Sequence, residues 1–220
     1  MKPRSIIALL ILGCHAVPAT GQTAKLLPVD EASRQPDFFA FRARLLVALA
    51  RRDTSALLRT VAPEIRNSFG DDNGVAAFRR RWRLEAQDSE LWGELAAVLA
   101  LGGTFENDST FVAPYVFGRW PAGFDSFEYL AVIASNVRVR FKPSFTAPVL
   151  ARVSFELVKR APTTPSPLTP AEGAFWEPVQ FRNCQIGYVA KELLRSPVGY
   201  RAVFARRNGG WAMVTLIAGD

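Results

Sequence analysis

A chain of 220 residues, 49% hydrophobic and 21% charged, carries enough apolar material for a buried core and lies outside the low-hydropathy, high-charge range of disordered proteins. Its formal charge of +7 weakly favours anionic partners, and Lys2 and Arg4 supply two of those charges. One histidine, His15, and two cysteines, Cys14 and Cys184, argue against imidazole-based nucleophilic catalysis and ordinary zinc sites.

Residues 1–21 read as an export signal. Lys2 and Arg4 form a positive start, Ile6 to Leu12 an apolar run too short to span a bilayer, and Val17 to Gly21 a small-residue exit. Ile11-Leu12-Gly13-Cys14 also resembles a lipoprotein signal, which gives a second reading in which Cys14 carries a lipid anchor. Cleavage at Ala19 or Gly21 leaves a periplasmic chain without histidine and with Cys184 alone, so no intramolecular disulfide forms. Cys184, in strand-like sequence, reads as a small buried hydrophobe.

From residue 22 to 125 the pattern is helical. Asp37 heads a helix to about Arg51 with Phe38, Phe41, Leu45 and Leu49 on one stripe, and Asp53 caps a second from Thr54 to Ala62 that Pro63 stops. A third helix, Val75 to Leu84, buries Phe78 and Trp82 beside the solvated arginines Arg79, Arg80, Arg81 and Arg83. Asp88 caps a fourth, which ends at Gly102-Gly103. Residues 104–125, with Phe105, Phe111, Tyr115, Phe117, Trp120 and Phe124, read as an aromatic-rich connection packed between two halves.

From Phe127 the signals are those of strands. Val137, Val139 and Phe141 alternate with Arg138, Arg140 and Lys142, which predicts a half-buried strand with a basic outer face. Val149 to Val158 continues the strand pattern, and residues 161–172 form a loop stiffened by Pro162, Pro165, Pro167 and Pro170. Strands return at Trp176 to Phe181 and Ile186 to Val189, and a hairpin pairs Tyr200–Arg206 with Trp211–Ile217 across Asn208-Gly209-Gly210.

Three segments in order resemble the bacterial SH3 family: Val139-Arg140-Phe141-Lys142-Pro143-Ser144, Ala147-Pro148-Val149-Leu150, and Trp176-Glu177-Pro178-Val179 followed by Gly187-Tyr188-Val189. Lys142 stands where the family carries glycine. The resemblance implies a small, bent β-barrel that binds wall peptides or proteins. The expected organisation is therefore α+β: a signal at 1–21, a helical region at 22–125, an SH3-like barrel at 126–196 and a terminal hairpin at 197–220 that packs on the body. An arrangement resembling the cone-shaped nuclear-transport-factor fold is the alternative, with the helices and the last hairpin in one unit.

Small barrels bind through aromatics beside their loops, which singles out Tyr188, Trp176 and Tyr129, with Arg140, as ligand contacts. No catalytic residue, metal ligand or cofactor is expected. The resulting expectation is a non-catalytic exported binding or scaffolding protein of the bacterial envelope. Its partner would be an envelope protein or a peptidoglycan peptide; nucleic acid and a transmembrane helix in the mature form are not expected, and the oligomeric state stays open. The competing reading is a carboxylate-dependent envelope hydrolase using Glu90, Glu94, Asp125 or Glu128.

Overall fold

The apolar stripe at Phe38, Phe41, Leu45 and Leu49 folds as α1 (Pro36–Arg51) in the computed structural model, which describes residues 24–161, 168–181 and 185–219. Residues 1–21, read as an export signal, with Cys14 and His15, residues 162–167 and Cys184 lie outside the described residues. After α1 come α2 (Thr54–Leu58), β1 (Val61–Arg66), α3 (Gly74–Trp82), α4 (Leu91–Ala100), β2 (Thr104–Asn107), β3 (Thr110–Ala113) and α5 (Tyr115–Gly118). The chain then runs through β4 (Tyr129–Val132), β5 (Val137–Arg140), β6 (Val149–Val153), β7 (Leu157–Arg160), α6 (Pro170–Phe175), β8 (Trp176–Phe181), β9 (Gln185–Ala190) and β10 (Leu194–Arg195). It closes with β11 (Arg201–Arg207) and β12 (Gly210–Ile217). No helix among the described residues is long and apolar enough to cross a membrane.

The expected α+β plan gives way to a mostly β architecture of two sheets. The first has the order β1-β12-β11-β3-β2, antiparallel except where β1 runs parallel to β12. The second, β10-β4-β7-β8-β9-β5-β6, is antiparallel throughout and, among the described residues, open, with β10 and β6 at its edges and without the closed SH3-like barrel implied by the motifs. The region expected to consist of helices and an aromatic-rich connection holds β1, β2 and β3. Pro63 does not simply stop a helix: it sits within β1, an edge strand, where a missing backbone donor costs no ladder bond. Phe105 and Phe111, expected in a connection, face each other across the β2–β3 pair.

One core fills the space between α1, α3, α4 and the first sheet. Phe38 is fully buried there against Phe41, Phe105, Phe111, Phe204 and Trp211, with ring centroids 4.3–6.0 Å away. The final hairpin is part of this core, since β11 pairs with β3 and β12 with β1. Its turn, Asn208-Gly209, has positive φ at both residues (49° and 81°), the geometry that matches strand twist in a two-residue hairpin loop. Val132, Val137, Val139, Val179 and Val189 centre a separate core in the second sheet. Between the two lies a third cluster in which Tyr115, Val116 and Leu26 pack with Ala131 and Leu157, joined by Trp120, Phe124 and Tyr129.

Several local signals were hidden by proline. Thr169 accepts from the Glu172 amide while the Glu172 carboxylate accepts from the Thr169 amide, a capping box that starts α6 with Pro170 in its first turn. The sequence expectation of a loop through residue 172 is corrected accordingly. Asp53 does cap α2, accepting from the Ala56 amide at 2.8 Å, but Asp88 does not cap α4 and instead pairs with Arg83. Trp82 is buried, and of its neighbouring arginines Arg79 pairs with Glu85 and Arg80 with Asp72 at the surface.

Candidate functional site

The β5–β6 hairpin gives the second sheet a charged face. Arg138 and Arg152 are directly opposite one another in the register, both exposed, so two guanidinium groups share one face of adjacent strands. Like charges so placed repel. Among the described residues neither has a carboxylate within ion-pair distance; Arg152 donates to the Asn136 side-chain oxygen at 3.1 Å. Arg140, two residues beyond Arg138, is 7% exposed, and one of its nitrogens donates to the Ala147 carbonyl at 2.7 Å. Its charge is likewise without a carboxylate partner among the described residues.

These three arginines border a groove of about 260 Å³ together with Asn136, Phe145, Trp176 and Glu192. The Phe145 ring, 66% exposed, leans on Trp176 with centroids 4.9 Å apart. Trp176 itself is buried in a small cluster with Tyr188 and Ala190, so it forms a fixed wall and Phe145 an accessible one. A buried cation, two facing cations and an aromatic flank suit an anionic group attached to an apolar body.

Of the residues singled out from sequence, the structure brings Trp176 and Arg140 into the groove. Tyr188 lies directly behind them: it pairs with Arg140 in the β5–β9 register and is 6% exposed. Tyr129 is elsewhere, in the cluster between the sheets, edge-on to Phe124 at 5.1 Å and 5.9 Å from the Lys159 ammonium. The predicted basic outer face of residues 137–142 is corrected too: β5 ends at Arg140, which turns inward, while Phe141 is exposed. Arg152 and Phe145 were not legible as site residues, because their place depends on the β5–β6 register and on the β-bulge between Val139 and Arg140.

The four carboxylates considered for hydrolysis are not gathered. Glu94 on α4 pairs with Arg195 at 3.0 Å, Glu128 pairs with Lys159 at 2.8 Å, and Asp125 accepts from the Phe127 and Glu128 amides. Glu90 is exposed at the start of α4. The groove contains none of them.

Two larger clefts lie on the first sheet's body. One, of about 510 Å³, is bordered by Asp37, Phe41, Arg44, Arg59 and Trp211. Its carboxylate is already engaged by the Trp211 indole N–H at 3.1 Å and by Arg206 at 2.6 Å. The other, of about 650 Å³, lies beside Arg52, Leu84 and Trp92, where Arg52 donates to the Gln87 carbonyl. Comparison with protein-family models and with curated proteins finds no match for this chain.

Proposed function

We propose that the protein is a non-catalytic exported binding protein of the bacterial envelope whose second sheet holds a peptide through a carboxylate. The observation that carries this is the Arg138–Arg152 pair, two facing cations with no ion pair among the described residues, set beside buried Arg140 and the Phe145–Trp176 flank, with Glu192 at the groove's border. A bound carboxylate relieves the repulsion and accepts charge-assisted hydrogen bonds from the guanidinium groups. A cavity of about 260 Å³ admits a terminal or side-chain acid with a small apolar neighbour rather than a whole saccharide chain. The export-like first 21 residues support the envelope as compartment, and peptidoglycan stem peptides or acidic segments of envelope proteins supply that chemistry there. Scattered carboxylates, three of them engaged in ion pairs or a turn, favour binding over hydrolysis.

Retention of the full chain on purified peptidoglycan across a salt series tests this, with an Arg138→Gln/Arg152→Gln variant alongside. Retention is expected to fall with salt and to be lost in the variant while the variant keeps an unfolding midpoint at or above that of the wild type, since the facing charges no longer repel. Retention no greater than that of a control protein removes the wall as partner. Equal retention of variant and wild type removes the groove.

A further inference from the structure

The groove reaches β6 through Arg152. β6 is the last strand in its order, so one row of its backbone N–H and C=O groups has no strand to pair with among the described residues. Such edges are normally blunted by proline, charges, a β-bulge or a covering loop, and β6 carries a bulge at Leu150 and a charge at Arg152 while leaving apolar surface open. Pro148 stands only at the entrance to β6, and Val149 and Leu150 are 42% and 41% exposed. Leu150, the residue that the bulge inserts between Val149 and Ala151, lies two residues before Arg152, which stands opposite Arg138. The edge thus presents an apolar contact followed, one pleat on, by a cation.

Resting on the reading of the groove as a carboxylate site, we infer that the partner docks as an added strand on β6. It is an extended acidic segment of another protein, with an acidic side chain beside Arg152 and an apolar one two residues away over Leu150. Main-chain bonds along the edge give affinity, and the alternate side chains give selectivity. Charge decides against a second copy of this chain as occupant. Two β6 strands paired about a two-fold axis would line up Arg138 and Arg152 of both copies on one face of four adjacent strands, and none of the groove's arginines has a carboxylate partner among the described residues. An acidic strand instead supplies the missing counter-charge.

The probe is a fluorescein-labelled peptide, Thr-Val-Thr-Glu-Thr-Val-Thr, titrated with the full chain by anisotropy. Its glutamate has valine two residues away on both sides, so it suits either strand direction. Three further peptides accompany it: one with Gln for Glu, and two N-methylated on alternate amides, one for each set. A strand on an edge turns only one set of amides towards its neighbour. Replacing Glu by Gln, or methylating the set that faces β6, is expected to weaken binding by about tenfold or more, and methylating the other set to leave it unchanged. Arg152→Gln in the protein is expected to remove the difference between the Glu and Gln peptides. Charge-dependent binding with equal affinity for both methylated peptides overturns the added strand but leaves the carboxylate groove standing. No peptide binding while the protein is still retained on peptidoglycan through its arginines overturns the extended protein segment alone. Failure of both assays overturns this inference and the groove together.

Discussion

Asp37 shows how one side chain joins distant parts of the chain. Its carboxylate accepts from its neighbour's amide at Phe38, from the indole of Trp211 on β12 and from Arg206 on β11, so the first helix is tied to the last hairpin. Partial burial alone would push this carboxyl up; the Trp211 indole, the Phe38 amide and Arg206 outweigh that and hold it below its ordinary value of 3.8. A carboxyl depressed on folding contributes stability that is complete above the unfolded value and is lost as pH falls through the folded one. Asp37→Asn is therefore expected to be less stable than wild type at neutral pH. The gap between their urea midpoints should narrow on acidification below 3.8. A gap that widens in acid would reverse the assigned sign. The same sign applies to Glu172, whose carboxyl is lowered by the Thr169 amide and hydroxyl in the capping box.

At the level of elements, Gly187 explains one of the motifs by packing. An added Cβ there would stand 2.5 Å from a Val139 methyl, 3.0 Å from the Phe181 ring and 3.1 Å from the Arg140 carbonyl, so β9 lies against its neighbours β5 and β8 closer than a side chain allows. Gly187→Ala should cost about 1–3 kcal/mol by overpacking. Val139→Ala removes the nearest obstacle, so the double variant should be less destabilised than the sum of the two single ones, as urea unfolding of all four proteins will show. Additive costs would place the strain at the Phe181 ring or the Arg140 carbonyl rather than at Val139. Because Gly187-Tyr188-Val189 answers to this close packing, it was visible in the sequence without implying a closed barrel. What could be read locally held up well: the Phe38–Leu49 stripe, the Asp53 cap and the Asn208-Gly209 turn each rest on a few adjacent residues. What depended on remote pairing did not. β1 hid behind Pro63 because its sequence shows no sign that it lies at an edge, and β2 and β3 hid among aromatics that a buried connection would carry equally well. At the groove, Trp176 and Arg140 announced themselves by type, whereas Arg152 acquires its meaning only from standing opposite Arg138.

The chain order of the whole molecule makes its two sheets unequal partners. All seven strands of the second sheet come from residues 129–195, between β3 and β11, while the first sheet draws two of its three interior strands, β11 and β12, from the chain that follows. The first body is therefore incomplete until residues 201–217 arrive, although its helices are encoded before residue 101. Phe204, Trp211, Met213 and Leu216 complete the core around Phe38, and without them that core would lie open on one side. The second sheet depends on this hairpin much less, since its valine-rich core contains no residue beyond Leu194. Arg195 bridges the two, donating to the Tyr200 carbonyl at 2.7 Å and pairing with Glu94 on α4. A chain ending at residue 196 is thus expected to lose cooperative unfolding of the first body, while amide hydrogens of β7, β8 and β9 keep substantial protection from exchange. Hydrogen exchange resolved by peptide, on the truncated and full chains, reads both bodies at once. Protection retained in α1 and β3 after truncation would show that the hairpin only covers the first sheet. Protection lost everywhere would mean that the inserted sheet needs its host, and that the groove is built only when the last strands are in place.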